Sequence, residues 1–343
     1  MTMRQVCIPR YGRPDVLCVQ DVPEPPLTPA GVRIAVHASG VNFADVLARQ
    51  GLYPDCPKPP VVVGYEVAGR VLEVGADVTD IASGQRVVAL TRFGGYAEQV
   101  VVPSHQVFAL PANISLTEAA ALPVNYLTAY LMLYVCGHLQ SGEHVLIHGG
   151  AGGVGLAAVQ LCRLREAHIY ATASVHKHAF LQQQGVHHTF AYAPNTLRQA
   201  ILATTDSRGV DIVLDPHGGR SFAQSYRLLA PLGRLVMFGV SRLSPGMRRH
   251  PLIALWHLLR MPRFHPLRLL NDNTAVIGVN LGHLWEQQAL LTQAMNHLLS
   301  LYQQQHIQPT IARQFALSEA SAAHQFMQNR QNIGKVLLIS DTS

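Results

Sequence analysis

The chain has 343 residues, of which 48% are hydrophobic and 13% charged, so it can bury a large core and falls outside the disordered class. A formal charge of +6 and a pI near 9.2 suit an anionic ligand, but the excess is spread thinly and there is no Lys/Arg tract of the nucleic-acid type, so no specific nucleic-acid partner is expected. Cys7, Cys18, Cys56, Cys136 and Cys162 are far apart in sequence and form no CxxC pair; with no leader-like start and no run of about 18 apolar residues, they predict a cytoplasmic protein that does not span a membrane.

A length of 343 residues suggests two domains, one of them split in sequence. Residues 5–123 read as short β-type runs broken by Pro and Gly: Val32 to Val36, Val61 to Val63, Ala68 to Val74, Arg86 to Leu90 and Tyr96 to Val102. Near Leu122 strands and helices begin to alternate. His144 to His148 precedes Val154 to Arg165, His168 to Thr172 precedes His176 to Gln184, and Val210 to Asp215 precedes Gly218 to Leu229, followed by Arg234 to Val240 and the apolar run Ala275 to Leu281. Such alternation predicts an α/β fold, a doubly wound parallel sheet of the Rossmann type beside a mainly β domain. A helical stretch from Leu284 to Gln305 leads to Ile307 to Phe315 and a last strand, Lys335 to Ile339, which returns the chain to the first domain. The expected boundaries are 1–123 for the β domain, 124–282 for the nucleotide-binding domain and 283–343 for the returning segment.

Gly150, Gly152 and Gly155, with Ala151, Gly153 and Val154 between them, fit GxGxxG directly after an apolar strand and directly before a helix. Glycines there allow a tight turn and close approach of backbone to a pyrophosphate, while the helix start offers N–H groups and a positive dipole end. An NAD site normally supplies Asp or Glu about 20 residues further on. Here the second strand ends Thr172-Ala173-Ser174 and continues Val175-His176-Lys177-His178, with no carboxylate to repel a 2'-phosphate. Ser174 can donate a hydrogen bond and Lys177 a charge, so NADPH is the expected cofactor; the alternative is that Lys177 and its histidine neighbours only solvate a helix start.

Gly40-Val41-Asn42-Phe43-Ala44-Asp45, Gly51-Leu52-Tyr53-Pro54, Gly64-Tyr65-Glu66-Val67-Ala68-Gly69, Gly94-Gly95-Tyr96-Ala97-Glu98 and the glycine turn together resemble the medium-chain dehydrogenase/reductase superfamily, in its quinone oxidoreductase or zeta-crystallin branch. Leu122 to Tyr130, Asp211 to Gly219 and Asn332 to Leu338 are similar to the synaptic vesicle membrane protein homologues within it. The resemblance implies a GroES-like β domain, a Rossmann domain and a homodimer. It also implies that Tyr53, Asn125 and Thr128 lie near the nicotinamide, Gly152, Gly153 and Val154 on the pyrophosphate, and Ser174, Lys177 and Tyr192 near the 2'-phosphate. Phe238, Gly239, Val279 and Asn280 would complete the cleft, although Phe238 and Val279 also suit a core and Asn280 a strand end.

Zinc-dependent relatives carry a cysteine near the position of Asn42, a histidine within the segment written here Gly64-Tyr65-Glu66, and four clustered cysteines. This sequence has none of them, so no metal is expected; its 18 histidines include no HExxH. Reduction then depends on positioning and proton delivery. A quinone or an α,β-unsaturated carbonyl fits, with Tyr53 donating a proton directly or through water and Asn42 orienting the carbonyl or ribose. Equally, Tyr53 could pack the turn before Pro54, and Asn42 could cap a helix with Asp45 in its first turn. Pocket width depends on Tyr53, Tyr65, Trp256 and Trp285.

Residues 247–270 are apolar but studded with Arg248, Arg249, Arg260, Arg263 and Arg268. Pro251, Pro262 and Pro266 interrupt any long helix, which suits a loop-rich wall or lid of the substrate cleft. The same composition suits peripheral contact with acidic lipid. Two functions are therefore open: an NADPH-dependent reductase, or an NADPH-responsive, lipid-associated binding protein with little turnover.

Overall fold

A computed structural model describes residues 2–111, 113–247 and 250–340, apart from the side chains of Pro194 and Asn195. Two units are distinguished: Met1–Leu127 with Gly246–Arg249 and Gly282–Ser343, and Thr128–Pro245 with His250–Leu281.

In the first unit the strand Gly31–Val41 alternates buried Val32, Ile34 and Val36 with half-buried Arg33, Ala35 and His37. This period of two puts one face against Val67, Val71, Val87, Ala89, Val100 and Val102. Burying each such Val or Ile stabilises the fold by about 1.5–3 kcal/mol. Beyond His37 the alternation stops, and Ala38 to Val41, all buried, pair with the C-terminal strand Lys335–Ile339. The resulting seven-stranded sheet runs Ile311–Ala316, Lys335–Ile339, Gly31–Val41, Glu66–Val74, Arg86–Leu90 and Val107–Ala109, with Gln99–Pro103 also paired to Gly31–Val41. Residues 61–63 depart from the expected strand. Val61 makes one bridge to Ile8, and the carbonyls of Val62 and Val63 accept from Gly94 and Tyr96, so the run serves separate segments instead of one ladder.

The second unit holds a six-stranded sheet whose pairs are all parallel. Its order is His188–Phe190, His168–Thr172, His144–His148, Val210–Asp215, Leu229–Met237, Ala275–Gly278. Read as strands of this sheet, that is third, second, first, fourth, fifth, sixth, the doubly wound Rossmann order in which a ligand lies beyond the carboxyl ends where the first and fourth strands part. Val210–Asp215 is buried at every position, as a central parallel strand covered on both faces must be.

The segment expected to be loop-rich contains two short helices, Pro251–Leu259 and Pro266–Asp272, each with its proline in the first turn. A proline is tolerated there because its missing N–H would lack a helical partner anyway, so Pro251 and Pro266 start these helices. Only Ala254 of the first is buried; Leu252 and Leu259 are 79% and 77% exposed, and Leu255, Trp256, Leu258, Leu267 and Leu270 are exposed too. Arg248 and Arg249 lie outside the described residues.

Candidate functional site

The glycine turn sits at the carboxyl end of His144–His148 and opens the helix Gly153–Arg163. Gly149 has φ +68, and a Cβ on Gly155 would come within 2.5 Å of the Gly149 carbonyl oxygen. A Cβ on Gly150 would stand 2.7 Å from the Ala171 methyl, so that glycine lets turn and second strand meet. A Cβ on Gly152, the residue before the helix, would stand 3.3 Å from the Gly149 carbonyl oxygen, a tight contact with backbone, and Gly153 and Val154 are half-buried. The turn is thus one that only glycines fit, set at a helix start, which fits a pyrophosphate.

Past the second strand, Ser174 is exposed, whereas Lys177 is buried at 6% exposure. Tyr192 is half-buried; its hydroxyl lies 2.8 Å from Ser221 Oγ and donates to Gln224 Oε1 at 3.1 Å. Arg242, absent from the sequence-based candidates, lays its guanidinium 4.8 Å from the centre of the Tyr192 ring. Among the described residues no carboxylate pairs with it.

Below these residues, at the ends of the first and fourth strands, lies a buried polar cluster. Asp215 accepts from Ser221 at 2.7 Å, Ser225 at 2.6 Å and the His217 N–H at 2.7 Å. Neighbouring His148 and His217, with the serine hydroxyls, hold its carboxyl below the usual range against the opposing effect of burial. His148 is buried between Thr172 Oγ1 at 3.0 Å and Ser225 Oγ at 3.1 Å, and burial lowers its pKa while the Asp215 carboxylate opposes that shift. Phe238 and Gly239 follow the fifth strand, the Phe238 N–H bonding the Asp215 carbonyl at 3.2 Å. Val279 is buried and bonded to Met237, Asn280 is exposed, and Thr128 is buried in the helix Pro123–Tyr130.

The first unit carries Asn42, Tyr53 and Asn125. Asn42 directly precedes the helix Phe43–Arg49 and is 8% exposed. Lys335 Nζ donates to its Oδ1 at 2.6 Å and its Nδ2 donates to Glu66 Oε1 at 3.0 Å, so both ends of the amide are engaged. Lys335 and Glu66 form a buried ion pair. Glu66 Oε2 accepts from the Val124 N–H at 2.7 Å, fixing the first turn of the helix that bears Asn125. Gly40 must be small here, because a Cβ would run into the Glu66 carboxylate.

Behind Asn42, Asp45 accepts from the Asn42 N–H at 2.7 Å, the Gly64 N–H at 3.1 Å and Tyr96 OH at 3.0 Å. Burial nonetheless pushes its carboxyl up to about 7. Tyr96 OH also meets His324 Nε2 at 3.2 Å, and Arg49 Nε donates to His324 Nδ1 at 3.2 Å. Tyr53 is half-buried, its ring 6.1 Å from that of Tyr65 and edge-on to it. Asn125 is buried, its Nδ2 3.4 Å from the Ala121 carbonyl. Asp45 stands in the first turn of the helix that Asn42 opens, as the sequence allowed, whereas the roles of Glu66 and Lys335 were missed: both stand within quoted motifs, but nothing in those motifs says that they meet.

Among the described residues no group of three His, Cys, Asp or Glu side chains is placed to hold a metal ion. Several histidines pack as rings at the starts of the parallel strands: His144 and His168 lie 4.7 Å apart, and His187 is 5.5 Å from His168. Also among the described residues, no helix is long and apolar enough to cross a membrane.

Residues 153–299 match the zinc-binding dehydrogenase family and residues 28–112 the alcohol dehydrogenase GroES-like domain. The chain is 41% identical over 344 residues to the synaptic vesicle membrane protein VAT-1 homolog of Rattus norvegicus, covering 98% of this chain and 84% of that one. The crystal structure of Escherichia coli quinone oxidoreductase complexed with NADPH superposes with a TM-score of 0.87 at 27% identity, covering 98% of this chain and 99% of that one. That of CurK enoyl reductase superposes with a TM-score of 0.85 at 29% identity, again covering 98% and 99%.

Proposed function

The chain belongs to the medium-chain dehydrogenase/reductase superfamily, close to the VAT-1 homologues, and from that premise we propose that it is an NADPH-dependent reductase of quinones or α,β-unsaturated carbonyls that works without a catalytic metal. The observation that carries this reading is the glycine turn at the helix start, followed by a second strand, His168–Thr172, after which Ser174 comes with no acid beside it. NADPH, when bound, supplies the hydride. Gly150, Gly152, Gly153, Val154 and Gly155 bind its pyrophosphate through backbone N–H groups. Ser174 and Tyr192 take the 2'-phosphate, joined by Lys177 and by Arg242, whose guanidinium lies over the Tyr192 ring and pairs with no carboxylate among the described residues. Thr128, Asn125, Phe238, Gly239, Val279 and Asn280 border the nicotinamide.

Tyr53 hydrogen-bonds the substrate oxygen or delivers a proton through water. Asn42 acts by holding the local frame, since Lys335 and Glu66 already engage its amide. A metal-free route agrees with the side chains present, because Asn42, Tyr65 and Glu66 supply one possible ligand where a catalytic site needs three. A cytoplasmic homodimer goes with this reading; the five cysteines are free, as in a reducing compartment. The test is a panel of ortho- and para-quinones and enones followed by NADPH absorbance. Stimulated oxidation supports the proposal, and none with any acceptor at saturation refutes it.

A second reading has an observation of its own. The exposed leucines of Pro251–Leu259 and Pro266–Asp272, with Trp256, Arg260, Arg263 and Arg268 beside them, suit the surface of an acidic membrane. Lipid association with NADPH responsiveness and little turnover is the function it favours. Binding to vesicles combined with a silent acceptor panel would select it.

A further inference from the structure

A buried phenol in the first unit lacks a hydrogen bond of normal geometry among the described residues. Tyr65, immediately before the strand Glu66–Val74, is 7% exposed. Its hydroxyl makes no hydrogen bond of normal geometry among the described residues. The ring is held firmly, edge-on to Tyr53 at 6.1 Å and tilted to Phe93 at 5.4 Å, while its carbonyl accepts from the Thr91 N–H at 2.9 Å. Burial foremost, and the nearby Tyr53 phenol after it, push the Tyr65 phenol upward, and the contact between the two hydroxyls falls short of a hydrogen bond of normal geometry. A buried hydroxyl nearly always finds a partner, and one that lacks it is a cost the fold must carry.

We propose that the Tyr65 hydroxyl is a substrate-binding donor that, beside Tyr53, holds the oxygen of a quinone or enone as negative charge develops on it. The proposal rests on the reductase reading, and it adds a residue and a division of labour to it. Burial, with Asp45, Tyr53 and Cys56 nearby, drives the Tyr65 pKa far up, so the phenol keeps its proton and serves as a fixed donor. When hydride adds to the β carbon, the carbon–carbon π pair shifts and the carbonyl oxygen gains the charge of an enolate. Tyr65 and Tyr53 stabilise that oxygen, and a water molecule then protonates the α carbon. Such a preorganised donor strengthens as charge grows and so acts on the transition state.

Tyr65→Phe tests this because it removes only the hydroxyl. Turnover with the best acceptor should fall about 100-fold or more, as for loss of one oxyanion donor. NADPH affinity should not change, and the thermal midpoint should hold or rise, since no hydrogen bond of normal geometry is lost. In parallel, 4-nitrophenol serves as an oxyanion probe that needs no turnover: wild type should bind its anion, and Tyr65→Phe about tenfold or more weakly. A midpoint that drops by several degrees would show that the hydroxyl has a structural partner and would overturn the inference. So would no anion binding by wild type, or equal binding by both proteins. If acceptors never stimulate NADPH oxidation but anion binding still depends on Tyr65, the reductase reading fails and the site survives. If acceptors stimulate NADPH oxidation equally in both proteins, the reductase reading stands and the role given to Tyr65 is overturned.

Discussion

Removing the Lys335 charge should damage the first unit out of proportion to the strength of the bonds it makes. Lys335 and Glu66 have side chains 3% and 0% exposed, so each depends on the other for compensation. At an effective dielectric constant near 20, opposite charges about 3 Å apart attract by roughly 5–6 kcal/mol. Desolvation, at several kcal/mol per ion, offsets most of this, so the intact pair contributes little net stability. Lys335→Met leaves Glu66 buried with only the Asn42 amide and the Val124 N–H, and strips Asn42 Oδ1 of its donor. A lone buried charge of this kind costs about 3–5 kcal/mol. The double variant Lys335→Met/Glu66→Leu removes both charges and should be more stable than either single variant. Urea unfolding of this unit can be followed by Trp285 fluorescence in a Trp256→Phe background, because Trp285 lies in the first unit and Trp256 in the second. A loss under about 1 kcal/mol for Lys335→Met, or a double variant showing the sum of the two losses, would refute the reasoning.

Three further outcomes are expected. Lys177→Ala and Arg242→Ala should each weaken NADPH by one to two orders of magnitude, from a charged hydrogen bond of about 1.5–3 kcal/mol, with NADH little affected; isothermal titration with both cofactors checks this, and equal losses would mean a structural role. Asp45, raised from 3.8 to about 7, binds its proton more tightly in the folded than in the unfolded chain, so its contribution is full below about pH 4 and is lost as pH rises towards 7. Asp45→Asn should flatten that slope, at most about 1.4 kcal/mol per pH unit in urea curves, and an unchanged slope would mean a carboxylate ionised throughout. Leu255→Ser with Leu259→Ser should reduce flotation with phosphatidylserine vesicles if the exposed helices meet lipid, while equal flotation would locate contact elsewhere.

Much of the parallel sheet is legible in the sequence. His144–His148, His168–Thr172 and Val210–Asp215 end where the apolar runs end, because strands covered on both faces have few polar residues inside them. The fifth strand is harder: it runs Leu229–Met237, although Pro231, Leu232 and Gly233 read as a break before Arg234. Leu232 takes φ +66 there and the pairing shifts register, an irregularity that a hydrophobic pattern does not encode. The glycine cradle is local and so could be read directly. The Asn42–Glu66–Lys335 cluster could not, since Lys335 lies 293 residues from Asn42 and meets it only when the last strand joins the sheet. The stacking of Arg242 on Tyr192 likewise joins loops after different strands. Cys7 and Cys18, apart in sequence, face one another across paired strands.

Hydride transfer itself can be followed with NADPH deuterated at C4 of the dihydronicotinamide, mixed with the protein and an enone and analysed by mass spectrometry of the product. Deuterium should appear at the β carbon of the reduced enone, to the same extent with and without a strong chelator. Product without the label, or label transfer that disappears when metal is removed and returns with zinc, would contradict a metal-free NADPH-dependent reductase.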